Sequence, residues 1–364
     1  MRVAVLGAGA GGAAAVAELL TAGHEVSLWG RSPGTLEPFQ RQGGVAYEGV
    51  LGEGLARPRL ITTDLKAAID GAEVALVCLP TVAHADVARG MAQAGINVPV
   101  VLNPGHTGGA LEFAAVVRAA GGSPPPIAEF STLTYVARKY QPDRVTVTGA
   151  AKWLRLGALP GGEAAATAAR TLFKSAATMP DVLACDLANI NMVLHAPGAI
   201  LGAAWIEATG GDFTFYVQGM TPGVARVMRA LDEERRMVAR AFGHDLPGVA
   251  AEMQAIGTVE AHIHDTDDLV AAISSGKANR RIKAPSSLGH RYYLEDFGHG
   301  LLPFRTLATI AEVAVPIADS LLKIAEVLLG KDLASHGRTA AHMGITGLDK
   351  ASLIAMVRGN GPRD

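Results

Sequence analysis

The chain has 364 residues, of which 49% are apolar and 18% charged, so it is long enough for two domains that each bury a core. A formal net charge of −2 without a basic block argues against nucleic acid or an anionic membrane as a partner. The two cysteines, Cys78 and Cys185, imply no disulfide framework, and the first predicted strand begins at residue 2, without room for a signal peptide. A cytoplasmic protein is therefore expected.

The N-terminus carries a strand, a glycine-rich turn and a helix in succession. Residues 2–6 are apolar and β-branched, which predicts a buried strand, and Gly7, Gly9 and Gly12 follow in a G-x-G-x-x-G pattern. In such a turn the first glycine permits the bend, the second lets the backbone approach a pyrophosphate, and the third lets the helix pack on the strand. The helix would begin at Ala10, with its free N–H groups facing the phosphates. The turn therefore predicts a dinucleotide site.

The end of the second predicted strand, residues 25–29, decides which dinucleotide is expected. An Asp or Glu at this point usually binds the ribose 2′-hydroxyl of NAD. Here Gly30, Arg31 and Ser32 follow the strand, so hydrogen-bond donors stand where a carboxylate is usual. This favours a 2′-phosphate and hence NADP(H). NAD(H) stays an alternative, in which Arg31 stacks on the adenine.

Strand and helix patterns alternate through the first half of the chain. They comprise helices at 64–69, 82–91 and 109–120 and strands at 74–79, 100–102 and 127–130. Repeated βα units predict a parallel, doubly wound α/β sheet, whose ligands bind at the carboxyl ends of the strands. Leu79 and Pro80 end one strand and are expected to contact the cofactor. His106 and Glu129 lie at the ends of two others and are expected to contact the substrate.

The pattern changes after this sheet. Residues 144–148 and 153–159 alternate as late antiparallel strands would, and 164–174 predict a helix. From about Pro180 only helical patterns follow, at 182–209, 222–242, 246–254, 267–274, 301–329 and 349–357, and Pro303 and Pro316 mark helix starts or kinks within 301–329. We therefore predict a dinucleotide-binding domain over residues 1–178 and an all-α substrate and catalytic domain over 179–364, with the active site in the cleft between them. The apolar stretch 183–205 contains Asp, Asn, His and Pro, which favours a buried helix over a membrane span.

Two segments of the second domain carry candidate chemistry. Asn191 and His195 are four residues apart and would share one helix face, although a histidine satisfied within the core is the alternative. Residues 289–303 form a polar, aromatic and glycine-rich segment between helices. In it Arg291 can form a forked pair with a carboxylate, and Asp296 can orient a histidine. The alternative for this segment is a surface loop with helix-capping acids.

A third cluster places Glu260 near His262, His264 and Asp265. Histidines at alternate positions can ligate zinc. No cysteine or further spaced ligand accompanies them, so a solvated loop is favoured and no metal cofactor is predicted.

Taken together, these motifs resemble the opine dehydrogenase family and, more distantly, the 6-phosphogluconate and glycerol-3-phosphate dehydrogenases. The resemblance spans nearly the whole chain and is carried by the glycine run 7–12, Asn103-Pro104-Gly105, residues 129–138, Asn191 with His195, and Arg291-Tyr292-Tyr293-Leu294-Glu295-Asp296 with Gly300-Leu301-Leu302-Pro303. The last two carriers are the specific ones. The resemblance implies a Rossmann-type first domain and an all-α domain of the 6-phosphogluconate dehydrogenase type.

The resemblance also implies which residues act. His195 and Asp296 would form the catalytic dyad, and Arg291 would hold the carboxylate of a keto acid. Asn191 would hydrogen-bond a carbonyl or the nicotinamide amide, and Glu129 would receive a cationic amino-acid side chain.

The implied reaction is reductive condensation: an α-keto acid such as pyruvate and an amino acid form an imine, which NAD(P)H reduces. One alternative is another NADP-dependent reductase of the ketopantoate or glycerol-3-phosphate type, which uses a lysine-centred site. A second alternative is a non-catalytic NADP-binding protein, which needs no His195–Asp296 pair. The long apolar faces of the α domain favour a homodimer.

Overall fold

The computed structural model describes residues 1–260, 262–263 and 268–360, and these form two compact units. Unit 1 holds Met1–Gly105 and Gly109–Val182. Unit 2 holds His106–Gly108 and the chain from Leu183 onward. The last strand of unit 1 ends at Thr178, where we predict the domain boundary. Unit 1 itself ends four residues later, at Val182. The sequence does not predict that the short segment His106–Gly108 belongs with the helical unit.

Unit 1 contains both strands and helices. Its strands are β1 (Arg2–Leu6), β2 (Glu25–Trp29), β3 (Val45–Gly49), β4 (Gly54–Ala56), β5 (Leu60–Thr62), β6 (Val74–Val77), β7 (Val100–Leu102), β8 (Ile127–Phe130), β9 (Tyr135–Gln141), β10 (Arg144–Ala150), β11 (Leu154–Ala158) and β12 (Ala176–Thr178). Its helices are α1 (Ala10–Thr21), α2 (Pro33–Gln42), α3 (Leu65–Ile69), α4 (His84–Gln93), α5 (Gly109–Ala119) and α6 (Glu163–Leu172).

The main sheet of unit 1 has eight strands in the order β12-β11-β8-β7-β6-β1-β2-β5. Neighbouring strands are parallel except β11 with β8, which are antiparallel. The central strands β1 and β6 are buried almost throughout, which explains their uninterrupted apolar sequences. The predicted doubly wound α/β sheet is confirmed, and β11 is antiparallel as predicted.

A second sheet of unit 1 has the order β4-β3-β10-β9. In it β10 is antiparallel to β9, as predicted for a late strand, and parallel to β3. Val145 and Val147 of β10 belong to the same buried cluster as Ala13 and Ala17 of α1, whose small side chains let the sheet pack closely. The sequence does not predict β3, β4, β5 or β9, because these strands are short or carry charged and glycine residues that weaken the alternation.

The chain after β12 is helical. The helices are α7 (Val182–Asp186), α8 (Asn191–Leu201), α9 (Ala203–Thr209), α10 (Pro222–Ala241), α11 (Val249–Ile256), α12 (Leu269–Ser274), the π-helix Tyr292–Leu301, α13 (Leu302–Ile310), α14 (Pro316–Leu329) and α15 (Lys350–Arg358). Among the described residues of unit 2, strand pairing is limited to one bridge, between Thr214 and Lys283. The predicted all-α character of this part is therefore confirmed.

One predicted helix and one alternative are wrong. The predicted helix 182–209 is three helices, α7 to α9, and the segment 289–303, for which a surface loop was the alternative, is mostly the π-helix, which is largely buried. The helical pattern 301–329 is two helices, and Pro303 and Pro316 lie in the first turns of α13 and α14, as predicted for helix starts.

The break between α7 and α8 lies where two buried polar side chains bind backbone N–H groups. The Asp186 carboxylate accepts a hydrogen bond from the Gly108 N–H at 2.6 Å, and Asn189 Oδ1 accepts one from the Asn191 N–H at 3.1 Å. These side chains bind backbone donors outside the helix ladder, so they favour a helix end and a new helix start over a continuous helix.

Helix α10 organises the core of unit 2 through two charged side chains. The fully buried Arg235 binds Asp232 at 2.7 Å and donates to the Leu187 carbonyl at 2.9 Å, which ties α10 to the break after α7. Glu234 accepts the N–H groups of Ile317 and Ala318 at the start of α14. Burial raises the pKa of Glu234, although these two N–H bonds act in the opposite sense.

Within the described residues no single helix is long and apolar enough to cross a membrane. The segments Val182–Leu201 and Ala203–Thr209 meet that test only as a pair, and they are bent by 67°. Most side chains of α8 are buried within the helical unit.

Candidate active site

The turn between β1 and α1 is built from glycines that serve different purposes. A Cβ on Gly7 would lie 2.3 Å from the Cys78 carbonyl oxygen, and the φ of Gly7 is +130°. A Cβ on Gly12 would lie 1.8 Å from the Gly7 oxygen, so this glycine permits the helix to approach the turn. A Cβ on Gly9, by contrast, would have no neighbour within 4 Å. The space that a Cβ would fill at Gly9 is thus open, as a phosphate that approaches the backbone requires.

The first turn of α1 is prepared for an anion. Ala10 is its first residue, Gly9 caps it without a side-chain hydrogen bond, and no acidic residue lies in it. Its N–H groups and positive dipole end therefore stay available for phosphate. Leu79 and Pro80 follow β6, and Leu79 Cδ2 would be 3.1 Å from a Cβ on Gly7, so the predicted cofactor residues of β1 and β6 are neighbours.

The end of β2 presents Arg31 to solvent, with 76% of its side chain exposed. Ser32 caps α2 without using its side chain. The Arg31 guanidinium lies 3.4 Å from the carboxylate of Asp86 on α4, and Asp86 also pairs with Arg89 at 3.0 Å. The sequence does not predict this acidic neighbour of Arg31, because it comes from a distant element.

His195 of α8 has both ring nitrogens engaged within unit 2. Nδ1 lies 2.8 Å from Asp296 Oδ2, and Nε2 lies 2.7 Å from the Tyr216 hydroxyl. A carboxylate at Nδ1 fixes the imidazole tautomer and stabilises its protonated form. The other oxygen of this carboxylate, Oδ1, is buried and has no hydrogen-bond partner among the described residues. The structure therefore brings His195 and Asp296 together, as a dyad requires.

Aromatic rings enclose this imidazole. The Tyr292 ring stacks on it, with centroids 3.9 Å apart and planes 9° from parallel. Phe215 and Tyr216 approach at steep angles, each with its centroid 6.1 Å from that of the imidazole. The rings exclude water and limit ring rotation, so the orientation of His195 is held by packing as well as by hydrogen bonds.

The π-helix explains how Asp296 and Tyr292 reach His195. It places Tyr292 and Asp296 four residues apart, both buried and both against the same imidazole. π-Helical turns are rare and occur frequently at functional sites. The interpretation of this segment as a surface loop is therefore wrong, because its carboxylates and rings are packed inward.

His106 also belongs to this polar cluster, although it lies far from His195 in sequence. It has a positive φ of 58° and is buried, and Nδ1 lies 3.4 Å from the Asn189 side-chain nitrogen. Burial lowers the pKa of His106 to about 4, while Asp296 acts to raise it and His195 to lower it. A neutral imidazole at neutral pH follows.

Arg291 precedes the π-helix and is exposed. Its guanidinium makes no hydrogen bond or ion pair with any residue in the described ranges. Partial loss of hydration acts to lower the pKa of Arg291, but the negative charges of Glu295 and Asp296 outweigh it and leave this pKa above its ordinary value. The Tyr292 and Tyr216 phenols also lie close enough to act on it. Arg291 is thus a permanent cation with free donors beside the His195 cluster.

Two predicted site residues are placed differently from the others. Glu129 is 0% exposed, and its carboxylate accepts the Ala110 N–H at 2.7 Å at the start of α5. This geometry gives Glu129 a helix-capping role. Asn191 opens α8 one turn before His195 and is partly exposed, while its neighbour Asn189 makes the buried contacts.

The sequence does not predict two buried residues of this part of unit 2, Tyr216 and Arg338. Tyr216 lies in an aromatic run, Phe213-Thr214-Phe215-Tyr216, between Gly211 and Gly219, and that run is the signal that could have found it. Arg338 is fully buried and donates to the Thr107 carbonyl at 2.6 Å, for which the sequence offers no comparable signal.

No group of three or more His, Cys, Asp or Glu side chains that could hold a metal ion occurs in the described part of the chain. Of the cluster weighed for zinc, His264 and Asp265 lie outside the described residues.

Comparison with known proteins places this geometry in a family. Residues 178–329 match the family model of the NAD/NADP octopine/nopaline dehydrogenase α-helical domain, and residues 3–103 match that of the ketopantoate reductase PanE/ApbA. An opine dehydrogenase from Arthrobacter sp. (strain 1C) is 32% identical over 97% of this chain and 98% of its own length. The chain belongs to the opine dehydrogenase family. It is therefore an NAD(P)-dependent oxidoreductase acting on CH–NH bonds, by reductive condensation of an α-keto acid with an amino acid.

Solved structures of opine dehydrogenases have the same fold. An octopine dehydrogenase in complex with NADH and agmatine superposes with a TM-score of 0.77 at 23% identity, covering 100% of this chain and 99% of the other. A yersinopine dehydrogenase with NADP⁺ bound gives 0.70 at 16% identity, covering 99% of this chain and 98% of the other. The match to the ketopantoate reductase family model lies within unit 1 of this opine dehydrogenase.

Proposed function

We propose that this opine dehydrogenase condenses a small α-keto acid, such as pyruvate, with the amine of an amino acid, and that it uses NADPH in preference to NADH. The observation that carries the proposal is the His195–Asp296 contact of 2.8 Å, stacked on Tyr292 and placed beside the free guanidinium of Arg291. A proton acceptor and a carboxylate receptor are the two functions that condensation of an amino acid with a keto acid requires.

The residues around the β1–α1 turn fit a dinucleotide. Gly9 and the N–H groups at Ala10 would receive the pyrophosphate, with Gly7 and Gly12 allowing the close approach, and Leu79 and Pro80 would line the same end of the sheet. The bound nicotinamide supplies the hydride that reduces the imine.

The preference for NADPH rests on the end of β2. Arg31 and Ser32 offer hydrogen-bond donors to a 2′-phosphate, and no carboxylate directly follows the strand. Because the Arg31 side chain is exposed, its ion pair with Asp86 can be exchanged for one with the phosphate. A yersinopine dehydrogenase of this fold binds NADP⁺, and an octopine dehydrogenase of this fold binds NADH, so the family fold accepts both nucleotides.

Arg291 would bind the carboxylate of the keto acid. Its five N–H donors face no protein partner among the described residues, and a planar guanidinium can grip both carboxylate oxygens. The nearby Glu295 and Asp296 keep the pKa of Arg291 high and limit the excess positive charge, so the site is balanced before a substrate anion enters. An octopine dehydrogenase of the same fold has been solved with pyruvate, which is such an anion.

His195 would accept the proton that the substrate ammonium loses as the nitrogen becomes nucleophilic. Asp296 would hold Nδ1 protonated and stabilise the imidazolium once it forms, as an orienting carboxylate does beside other catalytic histidines. Asn191, one helical turn before His195, would hydrogen-bond a carbonyl or the nicotinamide amide.

His106 and Glu129 complete the proposed set. The low pKa of His106 leaves it neutral at neutral pH, so it can donate to or accept from a substrate without adding charge to the cluster. The Glu129 carboxylate is fully buried and accepts the Ala110 N–H, so the structure gives no support for a role in binding a cationic side chain. We propose that Glu129 caps α5 instead.

The experiment that tests the reaction is a spectrophotometric screen of NADPH oxidation with keto acids crossed against amino acids. We expect turnover only when both substrates are present, and tighter binding of NADPH than of NADH in titrations of the same preparation. Turnover with the keto acid alone would point to a simple ketoreductase, and tighter binding of NADH would refute the coenzyme preference.

We further propose that the protein is a cytoplasmic homodimer. Exposed apolar side chains on unit 2, among them Trp205, Ile324 and Val327, supply surface for self-association. Sedimentation equilibrium at micromolar concentration is expected to give twice the monomer mass of 37.5 kDa. A monomer at every concentration tested would contradict this.

A further inference from the structure

The imidazole of His195 has no nitrogen free to meet a substrate directly. Asp296 occupies Nδ1, and Nε2, the nitrogen left to exchange protons, is 2.7 Å from the Tyr216 hydroxyl. The rings of Tyr292 and Phe215 pack against the imidazole. The Tyr216 oxygen is therefore the hydrogen-bonded group from which a proton can pass to Nε2.

Tyr216 is held in place by its backbone. The Phe215 N–H donates to the Ile282 carbonyl at 2.9 Å, and the Gly219 N–H donates to the Thr214 carbonyl at 3.1 Å. Phe215 packs so closely on α8 that a Cβ on Gly198 would lie 2.7 Å from Phe215 Cζ. Because the segment is fixed on both sides of Tyr216, its hydroxyl is a lasting partner of His195.

The hydroxyl and the proposed substrate anchor belong to the same part of unit 2. Arg291 directly precedes Tyr292, whose ring centroid lies 3.9 Å from that of His195 and 5.3 Å from that of Phe215, the residue before Tyr216. Tyr216 is also among the groups that act to raise the pKa of Arg291. In an α-keto acid the reactive carbonyl carbon is bonded directly to the carboxylate carbon. A keto acid held by Arg291 would therefore place its carbonyl, and the amine that attacks it, beside the Tyr216 oxygen.

We propose that Tyr216 is a catalytic residue that relays protons between the substrate amine and His195. The proposal rests on the proposed function, because it assigns a step to the same site. As the amine becomes nucleophilic, a substrate N–H bond breaks and its proton forms a new O–H bond on Tyr216. At the same time the original O–H bond of Tyr216 breaks and its proton forms an N–H bond at His195 Nε2. No electrons are exchanged with an oxidant or reductant, the phenol ends neutral, and the positive charge rests on the imidazolium beside Asp296.

The relay makes a prediction that a packing role does not. An amine that is already deprotonated in solution needs no acceptor. Tyr216→Phe should therefore lower kcat/KM for the amino acid about 10²-fold near pH 7 and much less as the pH rises toward about 9.5, where more amine is free. A residue that only packs or positions would give a loss that does not depend on pH.

The test compares Tyr216→Phe with Tyr293→Phe, which removes another buried hydroxyl of unit 2, one that donates to the Ala199 carbonyl at 2.9 Å. We expect Tyr293→Phe to keep the activity and pH profile of the wild type, and both variants to keep its NADPH affinity. Tyr216→His, which restores a group that accepts and donates protons, should recover more activity than Tyr216→Phe. It also serves as the readout if Tyr216→Phe is poorly folded.

The outcomes separate this proposal from the proposed function. A pH-dependent loss in Tyr216→Phe with partial recovery in Tyr216→His supports the relay. If His195→Ala is inactive while Tyr216→Phe matches the wild type, loses activity equally at all pH values or gains activity, the relay is wrong and the dyad stands. If His195→Ala is also active, the proposed function itself fails.

Discussion

His195 illustrates how the surroundings of one side chain set its chemistry. A histidine on an apolar helix is most often a core residue, and burial alone would make a charged imidazole costly. Here the Asp296 carboxylate lies at Nδ1 and the Tyr216 hydroxyl at Nε2, so both protonation states have hydrogen-bond partners. The residue can therefore take up and release a proton without moving.

This arrangement predicts the effect of removing either member of the pair. His195→Ala and Asp296→Asn are each expected to lower kcat by about 10²–10⁴-fold, since one loses the proton acceptor and the other loses the charge that stabilises the imidazolium. NADPH binding, measured by fluorescence titration, should persist in both. His336→Ala, which alters an exposed histidine of the same unit, is the control and should be fully active. Activity within a few-fold of the wild type in His195→Ala would make His195 structural.

Arg291 makes a separate prediction about substrate binding. Arg291→Lys keeps the charge but loses the planar fork, so the KM for the keto acid should rise by about ten- to a hundredfold. The KM for the amino acid should change little. Arg281→Lys alters an exposed arginine of the same unit and should leave both constants unchanged. An unaltered KM for the keto acid in Arg291→Lys would remove this residue from carboxylate binding.

At the scale of elements, the β1–α1 turn and the π-helix show two ways of building a site. The turn depends on the absence of side chains, because carbonyl oxygens approach to within 2.3 Å of where Cβ atoms of Gly7 and Gly12 would stand. The π-helix depends on the presence of side chains, because it directs Tyr292 and Asp296 to the same imidazole. A local glycine pattern therefore predicts the turn, whereas no local pattern predicts the π-helix.

The turn predicts that two similar substitutions have different consequences. Gly12→Ala should destabilise the fold by about 1–3 kcal/mol or more, because its Cβ would be 1.8 Å from the Gly7 oxygen. Gly9→Ala should fold like the wild type but raise the Kd for NADPH about tenfold, because its methyl group fills open space where a phosphate would approach.

Urea unfolding and NADPH titration of the two variants separate these effects. A Gly9→Ala protein that binds NADPH normally would show that the pyrophosphate lies elsewhere. A Gly12→Ala protein of unchanged stability would show that α1 can shift away from the turn.

At the scale of the whole molecule, His106 links the polar cluster to the stability of the fold. Its pKa is about 4 in the folded protein, because burial disfavours the charged ring, against an ordinary value of 6.5. Between these values the unfolded chain binds a proton that the folded protein does not. Stability therefore rises with pH across this window, and the contribution is lost as the pH falls from about 6.5 toward 4.

The corresponding measurement is urea unfolding at pH 7 and pH 5. His106 should account for a loss of about 2 kcal/mol of unfolding free energy between these values. His106→Asn tolerates the positive φ at this position and carries no proton to titrate, so its loss should be smaller by that amount. An equal loss in the variant and the wild type would show that His106 is not the titrating group.

Features that depend on neighbouring residues could be predicted from the sequence, and features that depend on distant residues could not. The nucleotide turn, the alternating α/β half and the helical second half are local patterns, because glycine spacing and hydrophobic periodicity act within a few residues. The pairing of His195 with Asp296 was inferred from a resemblance and not from spacing, because the two residues are 101 positions apart. The break after α7 also lies beyond local patterning, since Asp186 binds a backbone N–H 78 positions away, whereas Pro316 marks the start of α14 locally.

Sequence alone therefore established a dinucleotide-binding chain with a helical second half. Only the tertiary structure showed the Tyr216 hydroxyl that binds His195 and the charged groups that act on His106. It also showed the capping role of Glu129 and the acidic neighbour of Arg31. The physical reason is that a hydrogen bond between side chains is decided by where the backbone carries them, and that path depends on the packing of the whole core.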